Sequence, residues 1–118
     1  MTIDGSFTGA EMLSIMREIA TTSELPDGFT ALSDHSRVER PISPSQVVEL
    51  VAIMEQFAPR FTGTRWAVVS TRPASYGMMR VLAARVPLAV PMQVRIFFDA
   101  QRAAQWLDAH AWDGKDAE

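Results

Sequence analysis

Cysteine is absent from the 118 residues. That removes disulfides, thiolate metal ligands and a thiol nucleophile together, and it leaves redox compartment open. No run of Lys or Arg is present either. Eleven basic against fourteen acidic residues give a net charge of −3, so no patch is strong enough to track a phosphate backbone, and a nucleic-acid partner is not expected. Long apolar runs are lacking. No stretch approaches the roughly 20 residues of a membrane span, and "MTIDGSF" has neither a charged leader nor an apolar core segment. A cytoplasmic protein without a transmembrane segment is the expectation. A glycine-rich phosphate loop is missing, because "STRPAS" has no glycine and Gly77 falls inside a helical pattern. The two histidines, His35 and His110, have no companion at ligand spacing, so no metal and no cofactor are expected.

What is present is an ordinary globular composition, 47% apolar and 21% charged, at a length that suits one core. The expected organisation is a single domain over residues 1–112 with a polar tail, "DGKDAE", over 113–118. The hydrophobic period switches repeatedly between about 2 and about 3.6, and the switches fall at turn residues. "TIDGSF", "FTALSD", "RWAVVST" and "QVRIFFD" read as strands. The continuous apolar run from Trp66 to Val69 suits a central strand covered on both faces, while the last strand reads as an edge. "TGAE" (Thr8 to Glu11) and "SPSQ" (Ser43 to Gln46) are capping boxes, the second with Pro44 at the first helical position. Helices are therefore expected to begin near Ala10, Pro44, Ala74 and Ala100, the last capped by Asp99. The fold class is α/β, with a four-stranded, mostly parallel sheet and four helices in alternating order. Trp66 and Leu107 are read as core.

The order of these elements and several local sequences resemble one family. "IDGSFTGAEM", "FTALSD" before "SPSQVVELV", "YGMMRVL" and "FFDAQRAAQWL" are similar to the SpoIIAA-like fold shared by STAS domains and CRAL-TRIO lipid-transfer proteins, in its small bacterial branch. The resemblance spans nearly the whole chain and is carried by order and spacing. It implies a four-stranded sheet laid down by successive right-handed crossovers, helices on both sides, and regulation or apolar-ligand binding more often than catalysis. Two departures follow from the residues. The D-S-[SA]-G loop that carries the phosphorylated Ser of the sporulation regulators is replaced by "DHS" at Asp34 to Ser36, so that switch does not transfer. Relatives usually have a further strand ahead of the "IDG" segment, so the first strand is expected to be clipped or to lie ahead of Met1.

"DHS" contains the residue types of a hydrolase triad, but consecutive residues of an extended chain point to alternate faces and do not converge. An Asx-type turn in a solvated loop, Asp34 to Ile42, is the expectation there. His110 reads as a helix-end residue favourable to the dipole. A better constellation comes from topology, because ligands of open parallel sheets sit beyond the strand carboxyl ends. Those ends bring Asp34, His35 and Ser36, then Ser70, Thr71 and Arg72, and on the following helix Ser75, Tyr76 and Arg80. They suit a small anionic or amphipathic ligand, with an Arg as charge partner. The plain reading of the same residues is that Ser70 to Ser75 cap the helix around Pro73 and Arg80 reaches water along its stem.

The helix after "RWAVVST" is apolar on every side. At about 100° per residue, Ser75, Met79, Leu82, Ala83 and Val86 form the core face, and Gly77, Val81 and Ala84 fall opposite, with Arg85 the one charge there. The following "PLAVPM" adds Leu88, Val90 and Met92. Contiguous apolar surface of this kind tends to be covered by a protein partner, a second copy or a ligand. The expected function is a non-enzymatic binding or regulatory module acting through this helix and its loops. The alternative is a carrier or enzyme using the cleft at the strand ends.

Overall fold

The computed structural model describes the backbone of residues 1–116 and side chains through Asp108; the last helix, Ala100–Asp116, runs past His110, which is not at its end, and into the segment read as a polar tail, of which residues 117–118 lie outside the described residues. Four strands, β1 (Thr2–Ile3), β2 (Thr30–Asp34), β3 (Arg65–Val69) and β4 (Gln93–Phe97), form one parallel sheet in the order β1-β2-β3-β4. Parallel neighbours need a crossover between every pair. α1 (Gly9–Thr21), α2 (Pro44–Gln56) and α4 (Pro73–Ala89) supply the three crossovers, and α5 (Ala100–Asp116) follows β4.

Both capping boxes form. Thr8 Oγ1 accepts from the Glu11 amide at 3.1 Å and Glu11 accepts from Thr8 N at 2.8 Å, while Ser43 and Gln46 repeat the exchange at 3.1 and 2.9 Å. Each box satisfies amides that have no partner inside the helix. The two helix starts lie so close that a Cβ on Gly9 would fall 2.1 Å from the Gln46 side chain. Asp99 caps α5 by accepting from Arg102 N at 2.7 Å.

The helices divide between the two faces. Met12, Leu13, Met16 and Ile19 of α1, Val47, Leu50 and Met54 of α2, and Met79, Leu82 and Val86 of α4 share one core with Trp66 and Val68 of β3. Ala67 and Val69 point the other way, against Ala103 and Trp106 of α5, with Leu107 half-buried at that margin. β3 is thus covered on both sides, and β1 and β4 are the edges.

Four local features differ from the reading of the sequence. A one-turn helix, α3 (Ala58–Phe61), follows α2, and its Pro59 sits in the first turn where a missing N–H is tolerated. α4 runs through Pro87 to Ala89, and Pro87 is accepted because it stands in the last turn on the exposed side. Val90 and Met92 belong to the core at 1% and 5% exposure, so of the "PLAVPM" hydrophobics only Leu88, at 87%, stands in solvent. The segment after β2 is not a solvated loop throughout: His35, Val38 and Ile42 are buried.

Candidate functional site

Beyond the carboxyl ends of the strands, Ser36 N donates to Asp34 Oδ1 at 2.9 Å, the Asx turn expected there. His35 N donates to Val69 O at 2.7 Å and Ser70 N to Phe97 O at 2.9 Å, so the ends of β2, β3 and β4 adjoin. Asp34 and Ser36 therefore lie near Ser70, Thr71 and Arg72. The rest of the predicted ligand set goes elsewhere. Ser75 is buried on the core face of α4, and Tyr76 and Arg80 line a groove against β4. The capping role read for Ser70 to Ser75 is not taken up, because the N-cap is Arg72 and it makes no side-chain cap hydrogen bond. Ser70 Oγ is buried without a hydrogen-bond partner among the described residues.

The imidazole of His35 is drawn inward rather than hydrated. Residues two apart on a strand share a face, so the chain that turns Ala31 and Ser33 toward the core turns His35 with them. Trp66 Nε1 donates to Ser33 Oγ at 2.7 Å, and Ser33 Oγ lies 2.8 Å from His35 Nε2. An indole N–H only donates, so Ser33 Oγ is an acceptor toward Trp66, and it keeps one hydrogen and a second lone pair with which to meet His35 Nε2 in either tautomer. Phe7 packs edge-on over the ring with centroids 4.9 Å apart. Burial lowers the His35 pKa from 6.5 to about 4, against a smaller raising effect of Asp34, so the ring is neutral at pH 7. A Ser–His contact is the geometry of an activated nucleophile. Here Ser33 is 2% exposed, its oxygen already accepts from Trp66, and Phe7 covers the histidine, so the chain of hydrogen bonds braces the core. The adjoining void, walled by Phe7, Met12, Met16 and Trp66, is only about 30 Å3.

An open groove lies between α4 and β4. About 470 Å3 in volume, it is lined by Tyr76, Arg80, Ala83 and Ala84 from the helix and by Val94, Arg95 and Ile96 from the strand. At the strand carboxyl end Tyr76 stacks on Phe98, with ring centroids 4.5 Å apart and planes 3° from parallel, and Phe98 is 62% exposed. Gly77, Val81, Ala84, Arg85 and Leu88 are all exposed on the outer surface of the same helix, Val81 at 43%. Charge is one-sided here. From Glu55 to Asp99 the chain contains no acidic residue, yet Arg72, Arg80, Arg85 and Arg95 all stand exposed in that interval. None of these four forms an ion pair among the described residues. Arg95 lies over the Phe97 ring, 5.7 Å from its centroid. The sequence pattern pointed to the helix and to the last strand as an edge, but not to the two meeting in one groove, because which surfaces adjoin is set by tertiary packing.

No His, Cys, Asp and Glu cluster suited to a metal ion occurs among the described residues, and no described helix is long and apolar enough to cross a membrane. No family model, curated protein or solved structure matches the chain. The fold itself is a small α/β domain with a four-stranded parallel sheet.

Proposed function

We propose that the protein is a non-enzymatic binding module that docks an acidic protein segment in the α4–β4 groove. One observation carries the reading: Arg80 and Arg95 line the groove together with Tyr76, Val94 and Ile96, within a stretch of chain that has four exposed arginines and no acid. The unpaired guanidinium groups select carboxylates and speed encounter, and the tyrosine and aliphatic side chains between them add contact area. A second copy docked by the same helix fits this surface less well. A two-fold contact sets a patch against itself, which would bring Arg80 and Arg85 toward their own symmetry mates. The SpoIIAA-like resemblance, which implies regulation or apolar-ligand binding more often than catalysis, supports a non-enzymatic role. The residues proposed for the small-ligand alternative do not converge on the groove, since only Tyr76 and Arg80 of them line it.

Fluorescence anisotropy with a short labelled peptide of alternating Glu and Val tests the reading. Binding is expected to weaken as salt rises and to fall by about tenfold or more in an Arg80→Glu, Arg95→Glu double variant. Equal binding of an alternating Lys and Val peptide, or no binding of the acidic one, overturns it.

A further inference from the structure

We infer that the segment taken by this groove adds to the sheet as a fifth strand along β4, an inference that rests on the groove being the docking site. The backbone of β4 shows which groups are free. Gln93 N donates to Thr64 O at 2.9 Å and Phe97 O accepts from Ser70 N at 2.9 Å, so both residues turn their peptide groups toward β3. Successive residues of a strand turn these groups to opposite sides. Arg95 therefore faces β3 as well, and the N–H and C=O groups of Val94 and Ile96 face outward, into the groove those two residues line.

The two edges of the sheet are treated differently. β1 pairs through only two residues, a length that offers little template, whereas β4 presents five. Short strands, covering loops and charges are the usual means of closing an edge. Among the described residues no helix lies over the β4 edge: α4 packs on one face of the sheet and α5 on the other. The charge present, Arg95, repels a second basic edge but welcomes an acidic strand.

Side-chain alternation gives the added strand its composition. Val94 and Ile96 pack toward the α4 core, so Arg95 and Phe97 lie on the opposite face. Residues of the added strand on the α4 side meet Tyr76 and Arg80, and those on the other side meet Arg95. A carboxylate thus finds a guanidinium on either face, and an apolar neighbour finds an aromatic ring. Main-chain bonds at β4 supply affinity and these contacts supply selection.

Amide hydrogen exchange read by NMR, with the alternating Glu and Val peptide present and absent, tests the inference on the intact chain. The Val94 and Ile96 amides are expected to exchange at least about tenfold more slowly with peptide bound, while those of Gln93 and Arg95, already bonded to β3, stay unchanged. Two further peptides, N-methylated at every second residue in opposite phases, keep charge and side chains while removing one outward or inward set of donors. One phase is expected to lose binding and the other to keep it. Salt-sensitive binding without protection at Val94 and Ile96, or equal binding of both methylated peptides, overturns strand addition and leaves the groove reading standing. Failure of the unmethylated peptide to bind overturns both.

Discussion

A neutral imidazole sealed under Phe7 makes stability depend on pH through one residue. The native His35 titrates at about 4 and the unfolded one near 6.5, so between those values the unfolded chain binds the proton and the native one does not. Stability is therefore unaffected by this group above about pH 6.5 and falls as the pH drops toward 4. The loss reaches about 3 kcal/mol by pH 4. Urea unfolding at stepped pH is expected to show this slope, and His35→Gln, which cannot titrate, to flatten it. Ser33→Ala strands both the Trp66 N–H and the His35 ring in the core and is expected to cost about 1–3 kcal/mol by the same measurement. The two-residue spacing of Ser33 and His35 was visible in the sequence, but a single polar letter past a strand end does not say that Phe7 will cover it. Arg60 was silent for the same reason. It donates to the carbonyls of Ile19 at 3.1 Å, Thr22 at 2.8 Å and Leu25, and pairs with Asp27, yet nothing in "APRF" announces carbonyls contributed from so far back in the chain. Arg60→Lys is expected to lose most of what Arg60→Ala loses, about 2–4 kcal/mol by urea unfolding, because one ammonium does not reproduce the planar fork.

Elements with their own local signals were legible. The two capping boxes and the Asp99 cap start α1, α2 and α5 at Gly9, Pro44 and Ala100, and the unbroken apolar run from Trp66 to Val69 marks the strand buried on both faces. Elements that depend on tertiary tolerance were not. Proline reads as a stop, but Pro87 sits on the exposed side of the last turn of α4, so only the carbonyl of Ala83 loses its helical donor and the helix continues. The outward face of that helix contains Gly77, whose added Cβ would meet nothing within 4 Å. A glycine in a helix interior costs about 0.5–1 kcal/mol relative to alanine. Gly77→Ala is therefore expected to raise the stability of the free protein by that amount in thermal or urea unfolding. A loss instead would mean that the residue contacts something on the chain itself.

Charge divides the whole molecule along the sheet. Residues 1–28, which form the β1–α1 edge, contain Asp4, Glu11, Glu18, Glu24 and Asp27 against Arg17 alone, while the β4–α4 edge is basic throughout. A near-neutral total hides this separation, because composition sums over surfaces that the fold places on opposite edges. The consequence is testable at Val81. This residue lies among Gly77, Ala84 and Arg85 on the exposed side of α4, and at 43% exposure it contributes little to the core. Val81→Glu places a carboxylate one turn before Arg85, where an i, i+4 pair is mildly stabilising, so the variant is expected to keep its fold by circular dichroism. The new charge also cancels part of the basic field at the groove, and binding of the alternating Glu and Val peptide is expected to weaken several-fold, most of all at low salt where screening is least. Sedimentation is expected to show a monomer for the native chain and the variant alike, since a two-fold α4 contact would oppose like charges. A native dimer that Val81→Glu dissociates would put a second copy on this helix in place of an acidic partner, and a variant that unfolds would place Val81 in the core.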